Sequence, residues 1–196
     1  MNHKKITFEK PKALSDDIIE CLVDAWKPAV DILFSDTQSR SIVRALSEVE
    51  RSEFSVQNIR VLSTEGGVVG AALFLDFEAI EAARQVNVLN ILRQLEAEDK
   101  MVFMKSLQEY SKSFPPILKE PGIYLSKFST VRRFRMQGLS SILMDCFLKH
   151  NKDRKLPTFL DVHEDNIAAI GLYEKYDFKF TEAQFDTPYK LMKRMP

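Results

Sequence analysis

Thr130-Val131-Arg132-Arg133-Phe134-Arg135-Met136-Gln137-Gly138-Leu139-Ser140-Ser141 is the stretch on which the reading of this chain turns. The eight residues before Val131, Ile123 to Thr130, read as a strand, and the residues after Gly138 read as a helix with Leu139, Ile142, Leu143, Cys146 and Phe147 on one stripe. Gly138 therefore stands where a strand turns into a helix, a place that calls for close backbone approach or a positive φ. Amides that open a helix lack intrahelical partners, and with the helix dipole they form a ready anion site. Arg132, Arg133 and Arg135 add positive charge beside it, so a pyrophosphate is the natural guest. The plain alternative is a strand–helix turn with a solvated basic face. Neither Gly-x-x-x-x-Gly-Lys-Ser/Thr nor Gly-x-Gly-x-x-Gly occurs, which argues against a nucleotide triphosphatase and a dinucleotide-binding fold.

Outward from this turn the pattern is regular. Downstream, Pro157 precedes a strand from Thr158 to Val162, and Asp165 or Asn166 caps a helix through Ala169, Leu172, Tyr173 and Tyr176. Strand–helix–strand–helix implies a βαβ unit with parallel strands. Phe178 to Phe180 and Tyr189 to Met192 are expected to pair as closing strands. Upstream, Asn58 to Leu62 and Val68 to Phe77 flank Glu65-Gly66-Gly67 and predict a hairpin. Ile6-Thr7-Phe8 is a short strand candidate. Ser15 or Asp16 caps a helix with Ile18, Ile19, Leu22, Val23 and Trp26 on its apolar face, and Pro28 breaks or kinks it. A second helix spans about Gln38 to Glu50.

The motifs resemble those of a known family. Arg135-Met136-Gln137-Gly138-Leu139-Ser140 is similar to the Gln/Arg-x-x-Gly-x-Gly/Ala signature of the GNAT acetyltransferases, and Leu160 through Phe178 resembles that family's second motif: a strand, an Asn, an Ala, a Leu-Tyr pair and a closing Gly-Phe. The two occur in the right order and at a fitting distance. The resemblance runs from about Ile123 to Phe180, loosely includes Ile59 to Phe77, and does not reach Phe8 to Val56. Ser140 stands where the family prefers Gly or Ala, and Asp177 where it has Gly. Asp tolerates a left-handed conformation better than most residues, so a helix C-cap there is still expected.

The resemblance implies an α/β fold, a GNAT-like mixed central sheet with helices on both faces, in a single domain over residues 1–196. It implies an acetyl-CoA cofactor, with Arg135, Met136, Gln137, Gly138, Leu139, Ser140 and Ser141 around its pyrophosphate. Phe128, Ser129 and Thr130 lie where the family's strand edge bonds the pantetheine arm, and one amide there polarises the thioester carbonyl. Asn166 matches a cofactor-contacting position and also suits an N-cap. Arg132 or Arg133 reaches toward the 3′-phosphate. Tyr173 sits where the family keeps its general acid: a phenol of pKa about 10 can donate to a departing thiolate whose conjugate acid lies near about 8.5. The alternative for Tyr173 is a core aromatic of an amphipathic helix. Many relatives carry a basic Glu early in the fourth strand, where this chain has Tyr124; His163 is the titratable candidate for a base, with a chain of waters as its rival. Asp161 or Glu164 is a candidate for holding a cationic amine.

The expected activity is transfer of an acetyl group from acetyl-CoA to a primary amine by direct attack, the acceptor being a small molecule or a peptide. A CoA-binding regulatory module that has lost turnover is the alternative. Glu78 to Glu120 separates the third and fourth strands, where many relatives have a tight turn. It holds two amphipathic helix candidates, with Val88, Ile91, Leu92 and Leu95 on one and Phe103, Leu107 and Tyr110 on the next. It reads as a lid over the amine site or as the surface of a homodimer, and its charges, Arg84 among them, read as a solvated face.

Composition fits an ordinary globular chain of 196 residues, with 45% hydrophobic and 29% charged residues. Lys and Arg number 28, as do Asp and Glu, so the net charge is zero and a nucleic-acid partner is not expected. Cys21 and Cys146 read as free thiols of a reducing compartment, and no Cys/His spacing suggests a metal. No signal-peptide run and no long apolar stretch appears, so the expected address is cytoplasmic, without a membrane.

Overall fold

A computed structural model describes residues 6–27, 29–34, 36–117, 120–182 and 186–196. Among the described residues seven strands form one sheet: β1 (Thr7–Glu9), β2 (Ile59–Thr64), β3 (Gly67–Asp76), β4 (Ile123–Thr130), β5 (Thr158–His163), β6 (Lys179–Phe180) and β7 (Tyr189–Arg194). Their order is β1-β2-β3-β4-β5-β7-β6, and every pair is antiparallel except β4–β5. The helices are α1 (Asp16–Ala25), α2 (Ala29–Leu33), α3 (Asp36–Ser47), α4 (Ile80–Gln94), α5 (Ala97–Ser111), α6 (Leu139–Asn151) and α7 (Ile167–Lys175). None of the described helices is long and apolar enough to cross a membrane.

Two apolar clusters cover the two faces of the sheet. One joins α1, α3, α4 and α5 to Leu73, Leu75, Tyr124 and Phe159; the other joins α6 and α7 to Phe74, Leu125, Leu160 and Val162. β3 is buried from Val69 through Leu75, which is why its sequence is a continuous apolar run rather than an alternation. Local chemistry sets the helix starts. The Ser15 hydroxyl accepts from the Ile18 amide at 3.4 Å, and the Asn166 side chain accepts from the Ala169 amide at 3.2 Å. Pro28, where the sequence predicts a break, lies outside the described residues.

The inserted helices α4 and α5 pack on the sheet. Ile80, Ala83, Ile91 and Phe103 are buried in the first cluster, and the Phe103 ring stacks on Phe34 at 5.5 Å. Arg84 corrects the expectation of a solvated face. It turns inward, its guanidinium reaching the Tyr124 hydroxyl at 2.8 Å and Glu53 at 3.8 Å.

Two irregularities of β4 shape the centre of the sheet. Leu73 pairs with Lys127 and Phe74 with Leu125, so Ser126 is an extra residue in β4, a bulge. The bulge turns the consecutive side chains of Ser126 and Lys127 to the same partner, Glu53. On its other side β4 pairs with β5 only through Ile123–Thr158 and Tyr124–Phe159. Beyond Tyr124 the two strands part, while β5 stays paired with β7 over its whole length. The main-chain edge of β4 from Leu125 to Thr130 thus faces an opening instead of a strand.

Candidate active site

At the C-terminal end of β4 a short turn, Arg132–Phe134, leads to the start of α6. Met136 (φ 61°) and Gly138 (φ 76°) both adopt the left-handed conformation. A Cβ on Gly138 would meet nothing within 4 Å, so the backbone angle, not space, asks for glycine, and the volume above it is open. The amides of Met136, Gln137, Gly138, Leu139 and Ser140 find no acceptor among the described residues, whereas Arg135 donates to the Arg132 carbonyl at 3.1 Å and Ser141 to the Gly138 carbonyl at 3.1 Å. Free N–H groups at the head of the 13-residue α6 are the kind of donor set an anion can fill.

The arginines of the turn face α1. Arg133 pairs with Asp17 at 2.6 Å, Arg132 Nε with Asp24 at 2.8 Å, and Arg135 Nη2 with Asp24 at 2.6 Å. Arg135 Nε also donates to the Thr130 carbonyl at 3.2 Å. Burial works to raise the Asp24 carboxyl, but hydrogen bonds from Arg132 and Arg135 prevail and hold it below the usual carboxylate range. The basic residues tie the turn to α1.

Tyr173 lies on α7, on the α6 face of the sheet, with its ring edge-on to Phe128 of β4 at 6.4 Å. It is buried, its hydroxyl bonds to no described residue, and burial pushes its pKa up to about 12. The end of α7 fixes its position. Asp177 takes a left-handed φ of 64°; its amide bonds the Glu174 carbonyl at 3.0 Å, and the Phe178 amide bonds the Tyr173 carbonyl at 3.1 Å. Phe178 then folds back to within 5.8 Å of the Tyr173 ring. Asp in the glycine position serves the cap as expected.

The opposite face of the opening holds a cavity of about 890 Å³, lined by the sheet, α4, α5 and the segment from Phe114 to Ile117. A polar cluster lies at the sheet. Glu53 accepts from Lys127 Nζ at 2.8 Å, from the Asn87 amide at 3.3 Å and from the Ser126 hydroxyl. Burial alone would raise the Glu53 carboxyl, yet Lys127 and Arg84 bring it down to about 2. Tyr124 takes the Arg84 guanidinium on its oxygen and donates to Asp161 Oδ2 at 2.5 Å. Asp161 Oδ1 is the one buried side-chain polar atom without a partner among the described residues. Burial raises the Asp161 carboxyl above the ordinary range.

His163 shares the Asp161 face of β5 but does not line the cavity. Its ring meets Tyr189 edge-on at 5.1 Å, and its Nδ1 accepts from the Asp165 amide at 3.3 Å. Among the described residues no cluster of His, Cys, Asp and Glu could hold a metal ion.

Residues 95–178 match the acetyltransferase (GNAT) family. That match spans β4, the turn at Gly138, α6, β5 and α7. Solved structures share the fold over nearly the full length. An N-acetyltransferase from Staphylococcus aureus Mu50 is 16% identical with a TM-score of 0.67, covering 95% of this chain and 99% of its own. The PaiA N-acetyltransferase from Thermoplasma acidophilum, solved in complex with coenzyme A, is 13% identical with a TM-score of 0.53 over 98% of this chain and 99% of its own. A GNAT family acetyltransferase from Elizabethkingia anophelis, with acetyl-CoA bound, is 11% identical with a TM-score of 0.54 over 97% and 98%. No curated protein sequence matches the chain.

Acetyl-CoA is the acyl donor of the GNAT family, and the residues present fit it. Free amides at the head of α6 suit a diphosphate, and the unpaired edge of β4 suits an extended arm that carries amides of its own. The sequence-predicted residues Phe128 to Thr130 lie on the end of β4 and Arg135 to Ser141 on the turn into α6, with Tyr173 edge-on to Phe128 and Asn166 at the start of α7. Sequence reading missed Glu53, Arg84 and Lys127. The only local signal was Lys127 itself, the one charge in an otherwise uncharged strand.

Proposed function

We propose that the protein transfers an acetyl group from acetyl-CoA to a primary amine, the whole chain acting as one acetyltransferase domain. The observation that carries this reading is the parting of β4 from β5 beside the unpartnered amides at the head of α6. The amides of Gln137, Gly138, Leu139 and Ser140 would hold the diphosphate, helped by the α6 dipole. Met136 adds a further amide, while Arg135 and Ser141 shape the ends of the turn. The edge of β4 at Phe128, Ser129 and Thr130 would bond the pantetheine arm through main-chain groups, and one N–H of that edge would polarise the thioester carbonyl. Asn166 accepts the α7 cap bond on its side-chain oxygen, and its side-chain NH2 would contact the cofactor.

When bound, acetyl-CoA supplies an activated acyl carbon and a thiolate leaving group. Tyr173 donates the proton that the sulfur needs; its raised pKa keeps the phenol protonated at every working pH. Its free hydroxyl supports that role, since nothing else in the described fold occupies it. Arg132 and Arg133 are engaged with α1, so the adenosine 3′-phosphate would meet them only by exchange with Asp24 and Asp17. His163 is not in the cavity lining and its Nδ1 already accepts a bond, so amine deprotonation falls to a chain of waters.

Free-thiol release from acetyl-CoA across a panel of amines tests the activity. Acetyl-CoA raising the melting temperature by mass action tests the binding. A protein that acetylates some amine and is stabilised by acetyl-CoA meets the expectation; one that is stabilised but acetylates nothing would be a binding module instead.

A further inference from the structure

The cavity on the α4–α5 side has a chemical character that names its guest. It begins where the sheet opens, since Asp161 lies two residues past Phe159, the last β5 residue paired to β4. Tyr173 is on the other face of the same opening, so an amine in the cavity and the phenol would approach from opposite sides.

Three carboxylates line the cavity: Glu81 is exposed to solvent, while Glu53 and Asp161 lie at the sheet with the cations Arg84 and Lys127. The two inner carboxylates differ in how their oxygens are met. Glu53 is satisfied by Lys127, Asn87 and Ser126. Asp161 has Tyr124 on Oδ2 and, among the described residues, nothing on Oδ1. A buried acceptor without a donor is costly, and a charged donor from a ligand would satisfy it with a strong bond. The remaining wall is apolar and largely aromatic, with Trp26, Phe103, Leu107, Phe114 and Ile117 prominent. It has the size of a pocket for a whole small molecule, and a lone lysine side chain would leave most of it uncovered.

We propose that this cavity is the acceptor site, that Asp161 receives the acceptor's ammonium group, and that the acceptor is a small monoamine carried on a bulky, aromatic or apolar body. The inference rests on the acetyl-transfer reading and adds the substrate class. A polyamine would have to place its second cation against the apolar wall or carry it out to Glu81, the exposed carboxylate of the lining, and an acidic amine brings a charge of the wrong sign. The inserted helices are then the specificity wall.

Binding is measured first, by calorimetry and melting temperature without acetyl-CoA, using tryptamine, spermidine, glutamate and a lysine tetrapeptide. Tryptamine is expected to bind and to raise the melting temperature, the other three not. Asp161→Asn keeps the shape and removes the charge, and should weaken tryptamine about 10- to 100-fold while acetyl-CoA stabilises the variant as it does the wild type. Leu107→Trp, which fills the cavity from α5, should weaken tryptamine comparably with acetyl-CoA binding unchanged, and it keeps the test alive should the Asp161 variant fail to fold. With acetyl-CoA present, thiol release should follow the same order of amines. Spermidine or the tetrapeptide binding better than tryptamine overturns the inference, as does Asp161→Asn binding tryptamine like the wild type. A protein that binds acetyl-CoA but not tryptamine overturns this inference alone; one that binds no acetyl-CoA overturns the reading beneath it.

Discussion

Lys127 Nζ sits 2.8 Å from Glu53 Oε1, with both side chains almost wholly withdrawn from water at 8% and 5% exposure. The pair exists because the bulge at Ser126 turns Lys127 out of the regular alternation of β4. It lies on the cavity floor, so it stabilises the fold and the site together. Removing one member leaves the other charge buried alone. Glu53→Gln is expected to cost about 3–5 kcal/mol, seen as a lower urea midpoint at neutral pH. An unchanged midpoint would show that Lys127 escapes to solvent.

The same pair sets acid sensitivity. The Glu53 carboxyl titrates near 2 in the fold, down from 4.5. A depressed carboxylate pKa adds stability that is fully present above 4.5 and disappears as pH falls toward 2, on the order of 3 kcal/mol. Asp161, raised by burial, acts in the opposite sense and opposes folding most when ionised. Urea midpoints should therefore fall between pH 4.5 and 2 for the wild type, and Glu53→Gln should fall less steeply there.

Gly138 offers a cleaner separation of fold from binding. Its φ of 76° penalises any side chain by roughly 1–2 kcal/mol, while the space around a new Cβ is empty. Gly138→Ala should fold with a melting temperature lowered by about 2–8 °C. The methyl group would project into the volume assigned to the diphosphate. The KM for acetyl-CoA should rise with kcat little changed, and an unaltered KM would place the diphosphate elsewhere.

Tyr173→Phe isolates the hydroxyl. The ring contacts with Phe128 and Phe178 survive, and no hydrogen bond to a described residue is lost, so stability should hold to within about 0.5 kcal/mol. Stabilisation by acetyl-CoA should persist while kcat drops about 100-fold or more. Because the phenol titrates near 12, deprotonation of Tyr173 should not limit the wild-type rate anywhere between pH 7 and 10. A variant as fast as the wild type would return Tyr173 to the core.

What the sequence disclosed was local. β4, the turn at Gly138, the Ser15 and Asn166 caps and the left-handed Asp177 follow from residue types within a few positions of each other. The helix-start amides were readable for the same reason. The cavity was not, because its partners are remote: Glu53 meets Lys127 across 74 residues, and Tyr124 meets Asp161 across 37. Arg84 looked solvated because charge in an amphipathic segment normally is; only the docking of α4 against β4 turns it inward. Tyr124 read as the absence of a base, and the fold instead makes it the group that orients a carboxylate from the next strand.

His163 is where chain position and geometry diverge most usefully. A direct general base is worth about 100-fold or more and must reach the proton it removes within a hydrogen bond or one water. The His163 ring is held edge-on to Tyr189, outside the cavity lining, and the Asp165 amide donates to Nδ1. In the neutral ring the other nitrogen then carries the proton, leaving no lone pair free for an amine. His163→Gln should consequently lower kcat/KM by only a few-fold and leave the acidic limb of the pH–rate profile in place. Loss of that limb, together with a fall approaching 100-fold, would show that the ring swings toward the amine and takes its proton directly.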